Sequence, residues 1–138
     1  MSFSERFILE SNSAALAAFR EKVRSLLARS VFSEKQQSDL LTALGEACTN
    51  SICHSYHEQP GHKIEVTIED YPDKMVFSVQ DDGEKIDLSK VKNPDLPPQK
   101  GHGLGLFFIR TIMDEIEYNT DLPQGNLLKM IKYKKIRL

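Results

Sequence analysis

The chain has 138 residues, 40% of them hydrophobic and 28% charged, with a formal net charge of -2. That length suits one domain, residues 1–138, able to bury roughly two-thirds of its unfolded surface, and the composition excludes the disordered and fibrous classes and gives no basis for a nucleic-acid partner. The N-terminal MSFSERFILESNS lacks a basic-then-apolar leader and no stretch reaches the ~18 apolar residues of a membrane span, so a cytoplasmic protein is expected.

Arg6 to Leu9 reads as a short first strand. Ala15 to Ala28 then places Leu16, Phe19, Val23, Leu26 and Leu27 at three- and four-residue intervals, the stripe of an amphipathic helix. Ser33 with Gln36 three positions on is a capping box, opening a second helix that runs to about His54 and buries Leu40, Leu44, Ala47, Cys48 and Ser51. Cys48 and Cys53 sit at neither redox nor zinc-ligand spacing and read as reduced packing residues; His54, His57 and His62 have no second spaced pair to make a metal site.

Lys63 to Glu69 and Lys74 to Gln80 alternate apolar and polar residues around Asp70-Tyr71-Pro72-Asp73, the pattern of a hairpin. From Leu88 to Lys100 the periodicity lapses among Asn93, Pro94, Pro97 and Pro98, which reads as a lid. A third helix is expected from Leu104 to Asp114, then strands at Glu115 to Asn119 and Leu127 to Tyr133 about the turn Leu122-Pro123-Gln124-Gly125. The lysines of the last segment interleave with apolar residues as on an exposed or edge strand. The order predicts a two-layer α/β (α+β) sandwich, a mostly antiparallel mixed sheet covered on one face by three helices.

Three short patterns carry chemistry. Glu46 and Asn50, four apart, share a helix face with His54; an amide oxygen suits a hard cation such as Mg²⁺ and a carboxylate can take a proton, although such a pair is also an ordinary polar face. Asp81-Asp82-Gly83 ends a strand, where a carboxylate can accept from an exocyclic amine and a glycine admits a flat ring; it is also simply a turn. Gly101-His102-Gly103-Leu104-Gly105-Leu106 opens a helix, where backbone N–H groups can converge on phosphates. It follows a lid rather than a strand and lacks a Gly-Lys-Ser/Thr, so it is neither a Rossmann fingerprint nor a P-loop.

In this order the three patterns resemble the N, G1 and G2 boxes of the GHKL (histidine kinase-like) ATPases, with a Bergerat-type ATP-binding fold. The stretches Ala43 to His54 and Gly103 to Arg110 are most similar to those of the anti-sigma factor serine kinases. The resemblance implies Asn50 as Mg²⁺ ligand, Glu46 as general base, Asp81 as adenine reader and Gly101 to Gly105 as phosphate cradle. It extends the ATP-binding set to His54, Gly83, Lys100, His102, Leu104, Leu106 and Asn126. Two positions depart from the family pattern: Lys85 stands where G1 usually carries a second glycine, and Asn126 where these folds commonly place a threonine.

The function implied is an ATP-dependent protein-serine kinase that sequesters a sigma factor and phosphorylates a STAS-type anti-anti-sigma protein. Members of the family often pair as homodimers through the sheet and first helix. Two other functions fit the same patterns: a non-catalytic ATP-binding module, favoured by Lys85, and a switch kinase acting on a different signalling complex. A sensor histidine kinase would require a phosphoacceptor domain upstream, which is not expected here.

Overall fold

The structure, a computed structural model, describes residues 3–86, 104–119 and 121–135. Residues 87–103, which contain the expected lid and Lys100, Gly101, His102 and Gly103, lie outside the described residues. The elements in order are β1 (Phe3–Glu10), α1 (Ser13–Ala28), α2 (Glu34–Asn50), a π-helical turn (Ser51–Ser55), β2 (Lys63–Asp70), β3 (Lys74–Asp81), α3 (Leu104–Ile112), β4 (Glu115–Asn119) and β5 (Asn126–Tyr133). The helices therefore form where periodicity and capping place them, with two differences of detail: the second ends in a π turn and the third stops at Ile112.

The starts of α1 and α2 each have a donor satisfied. The Asn12 side chain accepts from Ala15 N at 2.8 Å, and both halves of the Ser33–Gln36 box are made, at 3.2 Å and 3.0 Å. The apolar stripes then go inward: Phe19, Val23, Leu26 and Leu27 from α1, and Leu40, Leu41, Leu44, Ala47 and Cys48 from α2, are buried. Each such large side chain contributes about 1.5–3 kcal/mol relative to exposure.

The five strands form one sheet in the order β1-β2-β3-β5-β4. All four pairings are antiparallel, so the sheet is not mixed among the described residues. Ile64, Val66 and Ile68 of β2, Met75, Phe77 and Val79 of β3, and Leu128 and Met130 of β5 are buried with the helical stripes in one core. Register carries polar groups into the same face at one end of the sheet, because Leu9 pairs with Ile64, Ile64 with Asp81, and Asp81 with Asn126.

β5 lies inside the sheet, not at its edge, which corrects the edge-strand reading of the C-terminal lysines. Chain order hides this, since β5 is inserted between β3 and β4. Lys129 is exposed, while Lys132 Nζ donates to the Ile112 carbonyl at 3.0 Å. Lys134 Nζ donates to the Tyr71 carbonyl at 2.7 Å and meets Asp70 Oδ1 at 2.6 Å. These lysines tie β5 and its end to neighbouring elements.

Candidate nucleotide site

The site assembles where α2 runs out beside the end of β3. Tyr56 N donates to Ser51 O at 3.0 Å, an i→i+5 bond that widens the last turn; such turns recur at functional sites. Ser51 and Ser55 are thereby buried against β3, and both hydroxyls reach Asp81 Oδ2, at 2.7 Å and 2.9 Å.

Asp81 is only 3% exposed, so its charge depends on hydrogen bonds for stability. Its second oxygen accepts from Gly83 N and from Asn126 Nδ2, each at 3.1 Å. The carboxylate thus accepts from four donors, about its full lone-pair capacity. Asn126 is itself fully engaged: Nδ2 also lies 3.0 Å from Ser55 Oγ and 2.9 Å from the Glu84 carbonyl, and Oδ1 accepts from Ile86 N at 2.9 Å. Its amide donates to Asp81 from one atom and accepts from the chain beyond the turn at the other.

Two glycines allow this closeness. A Cβ on Gly83 would fall 2.5 Å from the Ser55 carbonyl oxygen, the acceptor of Glu84 N at 2.8 Å. Gly125 has φ +82°, and a Cβ there would fall 1.9 Å from the Asp81 carbonyl oxygen. The turn is further pinned by Asp82 N to Tyr56 Oη at 2.8 Å and by Gln124 Nε2 to the Asp82 carbonyl at 2.8 Å, with His57 paired to Glu84. A cleft of about 640 Å³ adjoins it, with Ser55, Gly83, Lys85 and Gly125 in its wall.

Glu46 and Asn50 present the opposite condition. Both are half-buried on α2, and among the described residues neither side chain has a hydrogen-bond or ion-pair partner. An uncommitted amide oxygen one turn from an uncommitted carboxylate suits a hard cation held mainly by phosphates. The negative charge of Glu46 reaches Cys53, whose thiol is shifted upward by burial first and then by Glu58 and Glu46.

Of the other expected residues, His54 is exposed; His57 is held by Glu84 and His62 stacks on Tyr56 at 4.5 Å, so these two are engaged away from His54. Gly105 and Leu106 lie in the first turn of α3, which packs against α2. Tyr118 is mostly buried and its hydroxyl is shifted upward, by burial and then by the Asp81 charge. Ser55 and Tyr56 were not among the expected site residues, and Ser51 was expected only as core. Their signal was available as a serine repeated at i and i+4 in a helix directly after Asn50.

A family model described as a histidine kinase-like ATPase domain matches residues 9–132. The serine-protein kinase RsbW of Oceanobacillus iheyensis is 33% identical over 110 residues, covering 74% of this chain and 68% of that protein. The serine-protein kinase RsbW of Listeria innocua is also 33% identical, over 122 residues, covering 83% and 76%. The structure of the RsbU and RsbW domains of a Mycobacterium tuberculosis protein superposes with TM-score 0.70 at 16% identity, over 99% of this chain and 34% of that one. The Pseudomonas aeruginosa SiaB-SiaC complex gives TM-score 0.65 at 13% identity, over 94% and 89%. With the family model spanning nearly the whole chain and these relatives aligned over most of both lengths, the chain belongs to the histidine kinase-like ATPase family.

Proposed function

We propose that the protein is an ATP-dependent protein-serine kinase that sequesters a sigma factor and phosphorylates a STAS-type anti-anti-sigma protein in the cytoplasm. Serine-protein kinases 33% identical to this chain support the reaction class. The single structural observation that carries the reading is the contrast on one helix: Glu46 and Asn50 have no side-chain partner among the described residues while the next turn is locked onto Asp81.

Asp81 reads the adenine 6-amino group, and Asn50 supplies an amide oxygen to Mg²⁺. Held there, Mg²⁺ would neutralise charge on the phosphates. Glu46 accepts the proton of the partner's serine hydroxyl; the serine oxygen bonds to the γ-phosphorus as the bond to the β,γ-bridging oxygen breaks, and that oxygen leaves with the electron pair on ADP. The backbone N–H groups of Gly101 to Gly105 bind the phosphates on the family resemblance. No helix among the described residues is long and apolar enough to cross a membrane, in keeping with soluble partners.

Transfer of labelled phosphate from ATP to a purified STAS protein tests this. Glu46→Gln retains size and removes the proton acceptor, so it is expected to lower transfer by on the order of 10²-fold while Mg-ATP affinity stays within a few-fold. A second reading, a binding module that grips its partner with ATP but transfers nothing, is favoured by Lys85. It predicts no labelled partner with the parent protein, together with ATP-dependent sigma-factor binding.

A further inference from the structure

An adenine 6-amino group needs a free lone pair on Asp81, yet all four are taken by the chain's own donors. Base reading therefore requires one donor to leave, and the four differ in how readily they can. Gly83 N belongs to a backbone that lies too close to Ser55 to shift freely. Asn126 is bound at both amide atoms, to the Glu84 carbonyl and to Ile86 N. Ser55 Oγ also accepts from Asn126, so moving it breaks two contacts.

Ser51 Oγ is different, because Asp81 Oδ2 is its one hydrogen-bond partner among the described residues. A helical serine also has a standing alternative, since rotation about χ1 lets its hydroxyl donate to the carbonyl four residues back. Here that carbonyl is Ala47 O, which already receives Ser51 N at the end of α2. Leaving Asp81 therefore does not strand a buried hydroxyl, the step that would otherwise cost most.

We propose that Ser51 is a releasable cap on the base-reading carboxylate: its hydroxyl and a purine 6-amino group compete for the same Asp81 acceptor, and the hydroxyl turns to Ala47 O when the purine wins. The proposal rests on Asp81 as adenine reader and makes Ser51 a positioning residue that weakens ATP binding. The amino group then gains a charged acceptor only by displacing another donor, so its net contribution is small.

The test compares Mg-ATP with Mg-purine riboside 5′-triphosphate, which carries hydrogen in place of the 6-amino group, by calorimetry on parent, Ser51→Ala and Asp81→Asn proteins. In the parent, ATP is expected to bind less than about tenfold more tightly than the analogue, whereas an open charged acceptor would give roughly 10- to 100-fold. Ser51→Ala should widen the preference by roughly fivefold through tighter ATP binding, with the analogue unchanged within twofold. A merely structural serine would weaken both nucleotides together. The parent measurement alone keeps the proposal open to refutation should Ser51→Ala fold poorly: a preference of about tenfold or more overturns the cap. If Asp81→Asn abolishes the preference but Ser51→Ala leaves it unchanged, the cap is wrong and the adenine reading stands. If Asp81→Asn retains the parental preference, the adenine reading falls and the cap with it.

Discussion

Asp81→Asn exchanges a carboxylate that accepts from four donors for an amide whose NH₂ can accept from none of them. On the Oδ2 side it meets two serine hydroxyls that can turn to accept from it, so the loss is that of the charged acceptor, about 1–2 kcal/mol in urea denaturation, apart from any effect on ATP. Asn50→Ala removes a half-buried amide with no partner among the described residues, and should change stability by less than about 0.5 kcal/mol while abolishing the Mg²⁺ dependence of ATP binding. Calorimetry with and without chelator separates the two substitutions. Gly125→Ala meets both a left-handed backbone at φ +82° and the Asp81 carbonyl 1.9 Å from the new Cβ. It should cost more than about 2 kcal/mol in urea denaturation and weaken ATP binding by displacing Asp81 itself.

Among the elements, α2 carries the most function on one continuous piece of chain: its cap sets where it begins, Glu46 and Asn50 lie near its end, and the π turn delivers Ser51 and Ser55 to β3. Ser33→Ala removes the side-chain acceptor of Gln36 N and should lower stability by about 1 kcal/mol in urea denaturation, with phosphate transfer little changed because the cap is about three and a half turns from Glu46. The capping box was legible as Ser33 with Gln36, since its chemistry is local. The π turn was not, because five residues are too few for apolar spacing to separate α from π geometry; what selects the wider turn is the pair of hydroxyls meeting a carboxylate thirty and twenty-six residues away.

At the scale of the molecule, one core joins all three helices to the sheet and leaves its two thiols in different surroundings. Cys48 is fully buried and its thiol is pushed up from 9.0 to about 12 by burial. The folded state thus favours the neutral thiol: this stability is complete below about pH 9 and is lost as pH rises through about 12. Thermal melts should show an alkaline decline that Cys48→Ala makes shallower, and a thiol reagent should label Cys53 in the native protein and Cys48 only on unfolding. The sequence by itself determined the helices, strand faces and the three chemical patterns, because periodicity, caps and turns depend on residues close in the chain. Only the tertiary structure decided that β5 lies inside the sheet and that Asp81 faces Asn126 across paired strands under two serine hydroxyls. Strand order and cross-strand register arise from long-range pairing, and no local pattern in Asp81-Asp82-Gly83 records which distant donors will fill a buried carboxylate.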